Sequence, residues 1–150
     1  MPKITFKVKS TSETPMKSVV ETGHFKMIID EPKNLGGTND GASPVEYLLA
    51  ALAGCLNIVG HAVAKEIGMK LNGLQINVEG DLDPAKFMGK PSEARTGYQE
   101  VRVSLKPDTD ADQATLDQWL ALLEDRCPVS DNLAHMTPLK IAFMETEKDL

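Results

Sequence analysis

Cysteine is scarce in this 150-residue chain. It occurs twice, as Cys55 and Cys127, and no Cys-x-x-Cys or His-x-x-x-His pair accompanies it. Structural zinc sites nearly always show such a pair, so no metal centre is expected from these cysteines with His24, His61 and His135. Cys55 and His61 stand six residues apart, about 120° from one another around a helix, and do not share a face. A Cys–His hydrolase would need His24 or His135 to approach from elsewhere in the fold. Clustered positive charge is lacking as well. The net charge is -6, the pI is about 5.0, and the lysines are scattered. A nucleic-acid partner, which needs a basic face, is therefore not expected.

No apolar run follows the N-terminal Met1-Pro2-Lys3, so no secretory signal is expected. The glycine-rich stretch Leu35–Gly41 lacks the Gly-Lys-Ser/Thr ending of a phosphate loop and reads as a plain loop. One stretch alone, Tyr47 to Ala64, resembles a membrane span. It contains Gly54, Asn57, Gly60 and His61, and reads as a buried helix of a soluble protein, with no membrane partner. The expected compartment is the cytoplasm. A stable structural disulfide is rare there, and a transient one points to redox work.

What is present is ordinary for one globular domain spanning 1–150: 41% hydrophobic and 25% charged residues. Ile4, Phe6 and Val8 alternate with polar residues and predict a first strand over 3–9. Ser18–Thr22 and Phe25–Asp30 predict two more, with a turn near Gly23. Ser43-Pro44-Val45-Glu46 is a helix start in which serine caps, proline takes the first helical position and Glu46 closes a capping box. The helix runs to about Ile67. It is apolar nearly all round, so it needs cover on several sides, from a second sheet or a second subunit. Strands follow around Leu74–Leu82 and Tyr98–Lys106, separated by a long excursion over 84–96. A second helix carries Leu116, Trp119, Leu120, Leu122 and Leu123 at core spacing, and Leu139, Ile141 and Phe143 predict a last strand. The order βββ-α-ββ-α-β indicates an α+β fold with antiparallel pairing.

The two cysteines sit in unlike contexts. Cys55 lies inside an uncharged helical run, where a free thiol is normally an inert small hydrophobe. Cys127 precedes Pro128, and a proline in the first helical position would put its sulfur where free amides and the helix dipole stabilise a thiolate. Taken singly, one reads as a core residue and the other as a Cys-Pro turn. Whether the two sulfurs meet decides between chemistry and packing.

Three features together resemble the OsmC/Ohr family of thiol-dependent peroxidases. These are the helix ending Leu52-Ala53-Gly54-Cys55, its Ser43-Pro44 start after a glycine-rich loop, and Arg126-Cys127-Pro128-Val129-Ser130. The resemblance covers essentially the whole chain and is greatest to the OsmC-like branch. It implies antiparallel sheets wrapped around long buried helices in an intertwined homodimer, with two active sites at the interface and no cofactor. It further implies a cysteine-based hydroperoxide reductase in which Cys55 attacks the peroxide and Cys127 resolves the sulfenic acid to a disulfide. A small thiol or a lipoylated carrier would then restore the dithiol.

Two departures from the family stand out. The family holds its thiolate with an arginine from the N-terminal sheet and loop region, whereas this chain has only Arg95, Arg102 and Arg126. Arg126 beside Cys127, and then Lys33 in the loop region, are the candidate substitutes. The implied rate is slower than in arginine-bearing relatives, with a Cys55 pKa nearer that of a free thiol. The family glutamate aligns with Val45, and Glu46 lies about 13 Å along the helix from Cys55 and about 180° around it. A catalytic role for Glu46 would therefore have to reach a partner subunit's site. A member of the same fold that binds a small apolar molecule or senses redox state, without turnover, is the alternative.

Overall fold

Near the N-terminus, a computed structural model describing residues 1–144 shows a three-stranded antiparallel meander. Its strands are β1 (Lys9–Thr14), β2 (Lys17–Thr22) and β3 (Phe25–Ile29). Thr22 pairs with Phe25, leaving a two-residue turn in which Gly23 takes a φ of 57°. Tight hairpins of this length need a positive φ, which glycine adopts at no steric cost. The strand expected over 3–9 is not there: regular pairing starts only at Lys9. Ile4, Phe6 and Val8 are exposed, Phe6 to 89%. Alternation makes a strand only when another strand offers its edge, and β1 pairs within this chain with β2 alone.

The meander belongs to one of two compact units, formed by residues 1–47 with the chain from Pro138 onward; residues 48–137 form the other. In the first unit the glycine-rich loop is built around Asp30, whose carboxylate is fully buried. It accepts hydrogen bonds from the amides of Glu31, Thr38 and Asp40 and from the Thr38 hydroxyl. The Asp40 amide and the Thr38 hydroxyl together hold the Asp30 carboxyl down at about 2. Lys17 ties the loop to the sheet through Asp40 at 2.8 Å and Glu13 at 3.1 Å. A side chain on Gly37 would bring its Cβ within 1.8 Å of the Glu31 carbonyl oxygen, and one on Gly41 within 2.2 Å of that of Ile28. These glycines thus serve close backbone approach.

Helix α1 (Pro44–Glu66) begins as the sequence predicts. The Ser43 amide and hydroxyl both donate to Glu46 Oε2, at 2.8 and 2.6 Å, which closes the capping box. In the second unit follow β4 (Gly73–Asp81), β5 (Glu100–Asp108), α2 (Gln113–Arg126) and α3 (Pro128–Ala134). β4 and β5 form an antiparallel pair in unbroken register from Gly73↔Asp108 to Asp81↔Glu100. Asp112 caps α2 by accepting from the Thr115 amide at 2.9 Å. Leu52, Leu56, Val63, Trp119, Leu123 and Cys127 form the buried core. Trp119 Nε1–H donates to the Gly60 carbonyl at 2.8 Å, and a Cβ on Gly60 would crowd Leu74, Trp119 and Leu123 at 3.0–3.2 Å. Gly60 therefore lets α2 approach α1 closely. Of the α2 residues expected in the core, Leu120 is exposed instead.

Length and composition alone would let α1 cross a membrane, with a mean hydropathy of 1.7. Within this chain one stripe of it is covered, through Leu52, Leu56, Gly60 and Val63. Ala51, Gly54, Ile58 and Ala62 stay exposed on another. The cover on several sides that the sequence calls for is thus incomplete within one copy. The last expected strand is also absent: residues 139–143 have no strand structure, and Leu139, Ile141 and Phe143 are exposed, Phe143 fully. As with 3–9, no strand of the described chain pairs with them. The overall class is α+β with antiparallel sheets, as expected.

Candidate active site

The two sulfurs meet. α1 carries Cys55 one turn beyond Leu52, on the margin of its covered stripe, and the joint between α2 and α3 carries Cys127. Both belong to the second unit and to the same core cluster. Their thiols lie close enough for each to shift the other's ionisation. The local reason is legible. Pro128 occupies the first turn of α3, leaving Cys127 as its N-cap, and the Ser130 amide donates to Cys127 Sγ at 3.4 Å. The same turn offers the Val129 amide to the sulfurs.

The environments push the two thiols apart. Burial raises the pKa of Cys55 against the opposing pull of the Val129 amide, and the neighbouring Cys127 adds to the rise. Burial opposes ionisation at Cys127 too, but the amide bonds from Ser130 and Val129 and the neighbouring Cys55 thiol outweigh it and lower the pKa. In the reduced pair the charge therefore favours Cys127 and the proton stays on Cys55. Access divides the other way: Cys127 is 1% exposed and Cys55 is half-buried.

The supporting residues lie elsewhere. Arg126 forks onto Glu66, with Nη1 to Oε2 at 2.5 Å and Nη2 to Oε1 at 3.0 Å, so its guanidinium is committed to the last turn of α1. Glu46 is held by Ser43, which also lowers its pKa, and belongs to the first unit. Lys33 opens an exposed 3-10 turn, Lys33–Leu35, in that unit as well. The thiol-stabilising groups of the second unit are backbone amides, which sequence inspection by residue type passes over; the Cys-Pro start of α3 was the available signal. Of the histidines, His24 lies against Phe25 at 3.9 Å between ring centroids, and His135 pairs with Asp131 at 3.0 Å.

Two cavities are lined by Ser130, whose amide donates to Cys127, while neither sulfur lines either of them. One, of about 410 Å³, runs between β5 and α2 past Leu56, with Asp117 and Glu124 at its edge. The other, of about 380 Å³, is lined by Leu48, Leu52, Val101 and Leu133, with Arg95 at its edge.

Comparison with known proteins agrees with this architecture. The profile of the family described as OsmC-like protein matches residues 37–142. No curated protein matches the chain by sequence. An OsmC-like protein from Mycoplasma pneumoniae superposes with a TM-score of 0.78 at 18% identity, covering 90% of this chain and 91% of that one. An organic hydroperoxide resistance protein OsmC from Legionella pneumophila gives a TM-score of 0.67 at 20% identity, covering 89% and 91%. One from Elizabethkingia anophelis gives 0.63 at 18% identity, covering 87% and 89%. At these identities the structures speak for the fold, while the profile spans well over half of the chain. Fold and profile agree that the chain belongs to the OsmC-like protein family.

Proposed function

We propose that the protein is a cysteine-based hydroperoxide reductase working as a homodimer. The observation that carries this is the neighbouring pair Cys55–Cys127, drawn from positions far apart in sequence and unequal in acidity and access. Cys55 is the sulfur a peroxide can reach. Its proton passes to the neighbouring Cys127, and the Cys55 thiolate attacks the peroxide O–O bond. Cys55 takes one oxygen as a sulfenic acid, and the leaving alkoxide receives the proton held at Cys127. The Cys127 thiolate then attacks the Cys55 sulfur, hydroxide leaves and takes a proton from solvent to become water, and a disulfide forms. Two electrons have passed from the dithiol to the peroxide, giving an alcohol and water. An external dithiol or lipoyl-type carrier returns them by thiol–disulfide exchange.

The second subunit answers what one copy leaves open. It would cover the exposed α1 stripe and offer strand edges to the alternating apolar residues of 4–8 and 139–143. In this reading no arginine holds the thiolate, and the amides at the start of α3 do that work in its place. The cavities that Ser130 lines suit the other reading too, in which a small apolar molecule binds without turnover.

Iodoacetamide alkylation against pH tests the charge distribution on which this mechanism stands. In Cys127→Ser the Cys55 profile moves to lower pH, because a charged neighbour that opposes its ionisation is gone. In Cys55→Ala the Cys127 thiolate, followed by its ultraviolet absorbance because the sulfur is buried, forms at higher pH, because the neighbouring thiol that lowers its pKa is gone. Arg126→Ala leaves the Cys55 profile in place, since Glu66 holds that guanidinium. Profiles that do not respond to loss of the partner thiol would show two independent sulfurs and end the mechanism.

A further inference from the structure

Arg102 is ringed by Asp81, Glu79 and Glu100, and Arg126 is forked onto Glu66. Arg95 is the one arginine whose guanidinium has no carboxylate partner among the described residues. It stands in the excursion between β4 and β5, where its carbonyl accepts from Gln99 Nε2 at 2.8 Å, so the backbone that carries it is anchored. Arg95 edges the cavity of about 380 Å³ whose other walls include Leu48, Leu52, Val101 and Leu133. The acid in that lining, Glu100, is neutralised by Arg102 at 2.9 Å. A cavity in the size range of small-molecule sites, with leucine and valine on one side, Tyr98, Gln99 and Ser130 among its polar walls and one fork without a carboxylate partner at its edge, has the composition that seats an apolar body and orients a charged end.

The neighbouring cavity has the opposite character. Its edge carries Asp117 and Glu124, which would repel an anion. The placement relative to the sulfurs also matters. Leu52 is one helical turn before Cys55, and Ser130 lines the cavity while its amide donates to Cys127. We infer that this cavity binds an apolar molecule ending in a carboxylate, with Arg95 as the residue that selects the anionic end. As the seat of a substrate this rests on the peroxide-reductase reading; as a binding site it stands on the cavity alone.

Calorimetric titration of the full-length protein with octanoate and with octanol tests it. Octanoate should bind the wild type more tightly than octanol. Arg95→Gln, an exposed substitution, should weaken octanoate roughly tenfold and leave octanol unchanged, as expected for loss of a charge-assisted bidentate contact. The octanoate advantage should shrink at high salt, because Arg95 sits at the cavity edge. Methyl NMR shifts on octanoate addition should fall on Leu48 and Leu133. Equal binding of the two probes to the wild type, unaltered octanoate binding in Arg95→Gln, or shifts confined to Leu120 and Leu116 of the other cavity would overturn the inference. Turnover separates it from the redox reading. A carboxylate-bearing hydroperoxide should show a raised KM in Arg95→Gln while cumene hydroperoxide is reduced as by the wild type. If no peroxide is reduced by either protein, the peroxidase reading fails while the octanoate result still stands or falls on its own.

Discussion

Cys55→Ser should reduce hydroperoxide consumption to the background without protein, whereas Cys127→Ser should consume a single equivalent and then stop. The difference follows from access and chemistry. Cys127 is 1% exposed, so with Cys55 gone no thiol remains that a peroxide can reach. With Cys127 gone, Cys55 still attacks, but its sulfenic acid has no neighbouring thiol to condense with and should accumulate where dimedone traps it. Loss of Cys127 also removes the proton donor to the leaving alkoxide, so at matched Cys55 thiolate content that single turnover should be slower than the first turnover of the wild type. Consumption over a time course, with dimedone adducts mapped by mass spectrometry, reads all of this. Peroxide oxidation of Cys127 in the Cys55→Ser protein at the wild-type rate would reverse the two roles.

A change on the uncovered face of α1 should act on assembly. Light scattering of the wild type should give about twice 16.3 kDa, and Ile58→Arg should give 16.3 kDa at micromolar concentration. Ile58 is 70% exposed on a stripe otherwise made of Ala51, Gly54 and Ala62, where small residues allow a close approach. Each large apolar side chain is worth about 1.5–3 kcal/mol when buried. Ile4, Phe6, Val8, Leu139, Ile141 and Phe143 all stand exposed in a single copy, so the drive to cover them is large. An arginine at 58 would place a charge in the middle of the joined face, which costs far more than it would at an edge. Ile58→Arg should also lower thermal stability. A wild type that is well folded and monomeric at micromolar concentration would remove the dimer from the account.

The sequence was most readable where a local rule acts alone. Ser43-Pro44-Val45-Glu46 predicts a capped helix start, and both Ser43 bonds to Glu46 are present. Cys127-Pro128 predicts a sulfur at a helix start, and the Ser130 amide donates to it. Readings failed where the answer depended on what another segment or another copy supplies. The alternation at Ile4, Phe6 and Val8 and at Leu139, Ile141 and Phe143 describes a face that wants burial, and alternation cannot say whose strand provides the edge. Arg126 shows the same dependence: adjacency to Cys127 says nothing of direction, and the guanidinium pairs with Glu66 sixty residues earlier. The glycines of 36–41 were legible as a loop but not as a scaffold. Their purpose depends on the buried Asp30 and on carbonyls that come within bonding distance of any Cβ at Gly37 or Gly41. Arg95 is visible in the sequence as one of three arginines, but a lone arginine in a polar excursion carries no local signal of a cavity.

The redox pairing of Cys55 with Cys127 is tested most directly by peptide mapping of the reduced protein after one equivalent of cumene hydroperoxide. The expected result is loss of both free thiols, a mass lower by two hydrogens, and one cross-linked peptide joining Cys55 to Cys127 within a single chain. Recovery of both cysteines as free thiols, or a disulfide joining two chains in place of the internal one, would contradict it.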